Sequence, residues 1–171
     1  TMNDMTKKSY QLAPDLTICR IVNGMWQVAG GHGYIDHELA IADMMRYHDA
    51  GFTSWDLADI YGPAEDFIGQ FRRRVLTLKG KELEKCQALT KWVPQLGRIT
   101  RTIVKENIER SLRRMNVSSL DLLQFHWWDY NNPYYMDALK HLSDLRDEGR
   151  IRHIGLTNFD TERIQIMKDS D

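Results

Sequence analysis

Three features of the sequence predict an α/β architecture, a TIM-type (β/α)8 barrel cut to roughly its first five units. Strand-like runs alternate with helix-like ones along the chain, the pattern of βαβ units in a parallel sheet. The polar residues Asp56, Lys91, His126 and Thr157 stand at four predicted strand ends, at intervals of 35, 35 and 31 residues. In a barrel the carboxyl ends of the strands meet at one face, where the chemistry of that fold resides; the competing arrangement is an open doubly wound sheet. At about 33 residues per unit, the 171 residues hold roughly five of the eight units a barrel needs.

The elements follow in order. Tyr10–Leu12 and Leu16–Val22 flank the turn pair Pro14-Asp15 and predict an N-terminal β-hairpin over about 9–22, with βα units over about 24–171. Gly24–Val28 is a small apolar segment, followed by the loop Gly30-Gly31-His32-Gly33. That loop lacks the Gly-Lys-Ser/Thr ending of a phosphate-binding loop and reads as a source of mobility. Asp36 caps a helix with Ala40, Met44 and Tyr47 on one face, ending near Gly51. Phe52–Asp56 is a strand, and Pro63 opens a helix through Phe67, Ile68 and Phe71. Arg72-Arg73-Arg74 reads as a solvated helix end, and Lys79–Lys85 as an exposed linker.

Gln87–Lys91 is the next strand, and Thr100 or Thr102 begins a helix whose Val104, Ile108, Leu112 and Met115 share a face. Leu120–His126 is a strand; a helix marked by Met136, Leu139, Leu142 and Leu145 closes at Gly149, and Ile151–Leu156 is the last strand. Asp160 caps a final helix carrying Ile164 and Met167. The whole reads as one partial barrel domain over 1–171.

Composition narrows the function classes. Lys plus Arg is 23 against 24 for Asp plus Glu, a net charge of −1, so no basic excess points to nucleic acid. No apolar run approaches the 18 or more residues of a membrane span, and no signal-peptide pattern opens the chain. Cys19 and Cys86 lie far apart and match no metal spacing, which favours reduced thiols in the cytoplasm. Thr1 before Met2 points to a trimmed start, so an organelle whose leader has been removed stays open.

The strand ends supply a carboxylate (Asp56), an ammonium (Lys91) and an imidazole (His126), with Tyr61 in the loop just past Asp56. A phenol ordinarily holds its proton to about pH 10, and a neighbouring ammonium makes it a readier donor. A desolvated Lys91 needs a partner, for which Asp56 is the obvious choice, and His126 can hydrogen-bond a substrate oxygen. Such a set suits protonation of a carbonyl oxygen while hydride reaches its carbon. No side chain provides a hydride, so a nicotinamide cofactor is implied.

These words resemble the aldo-keto reductase superfamily. Asp56-Leu57-Ala58-Asp59-Ile60-Tyr61-Gly62 with Glu65 is similar to that family's Asp-Thr-Ala-x-x-Tyr-Gly-x-x-Glu segment. Thr90-Lys91 resembles its lysine strand, Asp121–Trp127 its histidine strand, and Gly155-Leu156-Thr157-Asn158-Phe159 its Gly-x-Ser-Asn-Phe segment. The resemblance implies a barrel plugged by the hairpin and reduction of aldehydes or ketones with NADPH. It makes Tyr61 the proton donor, Lys91 its modulator, Asp56 the partner of Lys91 and His126 the carbonyl-orienting group. Thr157 and Asn158 would hold nicotinamide, while Gly24, Met25 and Trp26 match the cofactor-side first strand. Leu57 and Thr157 replace the family's Thr and Ser, and the Pro usual after the histidine strand is absent from His126-Trp127-Trp128-Asp129. The family's remaining cofactor grip, a Gln, a stacked aromatic and a basic loop, would lie past residue 171.

Each site residue also has a plain reading: a cap for Asp56, a surface lysine, a loop tyrosine, a core histidine. Alternation turns Trp55 and Trp127 toward the helices and leaves Trp128 on the side of His126, so Trp26 and Trp128 are expected to wall a substrate pocket. His37 and His48 lie three turns apart on one helix, His141 on an outer helix, and His153 on a strand facing the helical layer. No His/Cys/carboxylate set has metal-ligand spacing. Two other functional readings remain: a non-catalytic binding or regulatory relative, and an inactive half-barrel whose open edges make it self-associate.

Overall fold

The computed structural model describes residues 8–31 and 33–170. Thr1, Met2 and His32 of the Gly-rich loop lie outside the described residues. A two-stranded antiparallel hairpin, β1 (Ser9–Ala13) and β2 (Leu16–Cys19), precedes a five-stranded parallel sheet. The sheet strands are β3 (Asn23–Gly24), β4 (Ser54–Asp56), β5 (Gln87–Trp92), β6 (Leu120–His126) and β7 (Ile151–Thr157). Helices α1 (His37–Asp49), α2 (Ala64–Lys79), α3 (Arg101–Met115) and α4 (Tyr135–Asp147) connect them, and α5 (Thr161–Lys168) follows β7.

Strand order in space is β3-β4-β5-β6-β7, all parallel. A doubly wound sheet reverses its order at a switch point; here the chain advances one strand at a time in a single direction, as barrel strands do. The helices cover one face. Trp55 packs on Tyr47 of α1 and Phe71 of α2, and Trp127 on Tyr135 of α4, the side that strand alternation assigns to both tryptophans. The hairpin ties to the amino-terminal ends of the strands. Ser54 Oγ accepts from Cys19 N at 2.8 Å, and Asp15 pairs with Arg152 at 3.0 Å and with His153 at 2.7 Å.

Helix starts follow the capping residues: Asp36, Thr100 and Asp160 each accept from the backbone N–H three residues on, at 2.9, 3.3 and 2.9 Å. Thr100, and not Thr102, is therefore the cap of α3. Several details differ from the sequence reading. Arg72-Arg73-Arg74, expected at a helix end, lie within α2, which runs on to Lys79. The first strand expected at Gly24-Met25-Trp26 pairs only at Gly24, with Asn23 before it, because Val28 N bonds back to Met25 O and turns Trp26–Ala29 into a 3-10 helix. The stretch Lys79–Lys85, expected as an exposed linker, is the end of α2 and a 3-10 turn whose Leu83 packs on the core. The buried stripe of α1 is Ile41, Met44 and His48, with Tyr47 exposed. Finally, His153 does not face the helices. The register pairs Leu122 with His153, Gln124 with Gly155 and His126 with Thr157, so His153 shares the row that carries His126 and reaches the hairpin.

Gly69 sets the distance between α2 and α3. A Cβ there would lie 2.0 Å from the Arg114 carbonyl oxygen, which is backbone and cannot step aside. Helix propensity alone favours Ala over Gly by about 1 kcal/mol; the clash reverses that sign. Gly69→Ala is expected to destabilise the fold by roughly 1–3 kcal/mol in urea unfolding, whereas Gly24→Ala, with nothing within 4 Å of the added carbon, serves as the tolerated comparison.

Candidate active site

Parallel register brings the predicted residues to one rim. Gly24 pairs with Asp56, Lys91 with Gln124 and His126 with Thr157. The Lys91 ammonium lies 2.7 Å from both Asp56 carboxylate oxygens and donates to the Leu57 carbonyl at 3.2 Å. Its side chain is 13% exposed, so it has exchanged water for these three acceptors. The same ammonium sits 5.3 Å from the Tyr61 ring centroid, within cation–π range. Leu57, where the family has Thr, is fully buried, and its backbone holds β4 to β5 through Leu57 N and the Leu89 carbonyl.

Tyr61 is aimed by a turn. Tyr61 N bonds the Ala58 carbonyl, and Gly62 follows at φ 50°. A Cβ on Gly62 would come 3.4 Å from the Ala29 backbone, so the Trp26–Ala29 turn rests against the segment that carries the phenol. His126 ends β6; burial, and then the Lys91 charge, hold its imidazole below the usual histidine range. It is therefore neutral at pH 7, able to donate one hydrogen bond.

The cofactor-side residues occupy three settings. Met25 donates its backbone N–H to the Asp56 carbonyl at 2.9 Å while its side chain enters the core. Trp26 and Trp128 are more than half exposed, and Trp128 lies past the end of β6, so strand alternation does not extend to it. Asn158 adopts φ 64°, held by its Nδ2 donating to the Trp127 carbonyl at 2.9 Å and by the Tyr130 hydroxyl donating to its own carbonyl. Thr157 ends β7 opposite His126 in the β6–β7 register.

Gln124, Glu65 and Asp59 lie within the motif segments but carry no role in the sequence reading. Gln124 Nε2 donates to Asp56 Oδ1 at 2.9 Å and to the Leu89 carbonyl at 3.2 Å; its place two residues before His126 on one strand was the available signal. Beneath the rim, buried Glu65 accepts from Thr90 Oγ1 at 2.8 Å and meets Arg114 at 3.5 Å. Asp59, close by, accepts from Val93 N at 3.1 Å.

Comparison with known proteins identifies the family and the fold. The model of the Aldo/keto reductase family matches residues 20–171. The chain belongs to the aldo/keto reductase family. It is 30% identical over 148 residues to an aldo-keto reductase of Mycobacterium sp. (strain KMS), covering 86% of this chain and 48% of that one. It is 27% identical over 169 residues to the NADH-specific methylglyoxal reductase of Escherichia coli, covering 88% and 52%. The chain thus spans about half the length of these curated relatives. Among solved structures, the Bombyx mori aldo-keto reductase in complex with NADP superposes with a TM-score of 0.78 at 19% identity, covering 95% of this chain and 54% of that one. A thermostable aldo-keto reductase in complex with the inhibitor epalrestat gives 0.79 at 23% identity, covering 95% and 58%. Both likenesses establish the fold.

Burial, with Glu65 adding to it, pushes the Asp59 carboxyl up to about 6. The folded protein then holds this proton more tightly than the unfolded chain. The stabilisation is complete below about pH 4 and is lost as pH rises through about 6. Asp59→Asn keeps an acceptor for Val93 and does not titrate. Urea unfolding is expected to show the variant gaining on the parent by roughly 2–3 kcal/mol between pH 4 and pH 7; a constant difference would contradict the burial account.

Proposed function

We propose that the protein is a carbonyl reductase that converts aldehydes or ketones to alcohols with NADPH, Tyr61 giving the proton. The observation that carries this reading is the Lys91 ammonium, bracketed by the Asp56 carboxylate at 2.7 Å and the Tyr61 ring at 5.3 Å. A desolvated cation beside a phenol stabilises the phenolate left after proton transfer, and its carboxylate partner replaces the water it has lost. The neutral His126 imidazole donates to the substrate oxygen and orients it toward the Tyr61 hydroxyl. As negative charge develops on that oxygen, the Tyr61 proton moves to it and the Lys91 charge offsets the phenolate.

A bound nicotinamide supplies the hydride that this residue set lacks. Thr157 and Asn158 suit its carboxamide: Oδ1 of Asn158 and the Thr157 hydroxyl both stand at the end of β7, one strand from His126. Gly24, Met25 and Trp26 complete that side. Trp26 and Trp128 form the apolar wall for a small carbonyl substrate. The preference for NADPH over NADH rests on family resemblance, and the NADH-specific E. coli relative makes a paired comparison of the two cofactors informative. Cys19 and Cys86 are both free thiols, in keeping with work in the cytoplasm.

Tyr61→Phe is the deciding variant. It retains the ring and the cation–π contact but has no proton to give, so kcat for carbonyl reduction should fall by about 100-fold or more while cofactor affinity, followed by fluorescence titration, stays within about two-fold. Unchanged turnover would remove Tyr61 from the mechanism.

A further inference from the structure

We infer that Gln124 is a positioning residue that holds the Asp56 carboxylate, and through it Lys91, in the geometry that proton transfer from Tyr61 requires. The inference rests on the carbonyl-reductase reading above. Gln124 stands beside Lys91 in the β5–β6 register, and its side chain crosses β5 to reach Asp56 on β4. Asp56 Oδ1 receives two donors, Lys91 Nζ at 2.7 Å and Gln124 Nε2 at 2.9 Å, while Oδ2 receives Lys91 alone. The ammonium could pair with a carboxylate rotated about its own bond; the amide selects one rotamer, in which both oxygens face Lys91.

The neighbouring strands leave room for this reach. Gly155 pairs with Gln124 on the far side, and a Cβ there would lie 3.7 Å from Gln124 Cγ and 3.4 Å from Leu122 Cδ1. Gln124 is also anchored to the sheet, since Nε2 donates to the Leu89 carbonyl at 3.2 Å. That carbonyl already accepts from Leu57 N at 3.1 Å, and Asp56 keeps both bonds from Lys91. Loss of the amide therefore strands no buried polar group. A purely structural role would make the amide matter for stability; this arrangement makes it matter for orientation.

The test uses Gln124→Met, similar in length and without a donor, and Gln124→Glu, of the same shape with a charge that repels Asp56. For Gln124→Met, kcat should fall by about ten-fold, with KM and cofactor affinity within about two-fold and the melting temperature unchanged. Gln124→Glu should lose more than Gln124→Met. Independently of turnover, the Lys91 ammonium resonance in 15N-lysine-labelled protein should shift and broaden in both variants as the pair loses its single geometry. A kcat within about two-fold of the parent in Gln124→Met, or a loss carried by KM or melting temperature alone, overturns the inference, as does an unmoved Lys91 resonance. If the parent protein turns over no carbonyl, the functional reading fails, and the Lys91 resonance still decides the role of Gln124.

Discussion

An ammonium group at 13% exposure is tolerable only where acceptors replace its water, and at Lys91 those acceptors come from a different strand. The requirement constrains much of the rim. β4 and β5 must be parallel and in the register that places Leu89 opposite Asp56, so that Lys91 reaches back to both carboxylate oxygens and the Leu57 carbonyl. The chain must then turn at Ala58–Gly62 to bring the Tyr61 ring over the same cation. A shift of one residue in either strand would turn the carboxylate or the ammonium toward the helices. The ion pair contributes less to net stability than its short distances suggest, because desolvation offsets much of the attraction. What it supplies is a charge with a defined position.

The opposite face supplies the rigidity. Trp55, Trp92, Phe125 and Trp127 alternate with the rim residues and are buried against the helices, with Trp92 and Phe125 stacked at 5.5 Å. Asp56, Lys91 and His126 thus each have a buried neighbour anchoring their strand, and functional groups on strand ends supported this way hold their geometry better than groups on loops. The hairpin braces the other end of the sheet through Asp15 with Arg152 and His153.

Much of this is legible in the sequence. The period of the strands located Asp56, Lys91, His126 and Thr157 at strand ends, and the local words around them carried the family. The same reading went astray where a local pattern was outweighed by geometry. Gly24–Val28 has the apolar content of a strand, yet an i to i+3 hydrogen bond at Met25 turns it into a 3-10 helix. His153, expected on the helical side, shares its parity with Thr157 and so stands on the rim side.

Residue types, their spacing and their caps determined the order of elements, the parallel sheet and the four groups at its rim, because periodicity and capping are local physics. Tertiary structure alone decided which of those groups touch. Gln124 reaching across a strand to Asp56, Asp59 accepting the Val93 N–H, and Asn158 tied to the Trp127 carbonyl all depend on inter-strand register and burial. Those are properties of segments far apart in the chain, and no window along the sequence contains both partners.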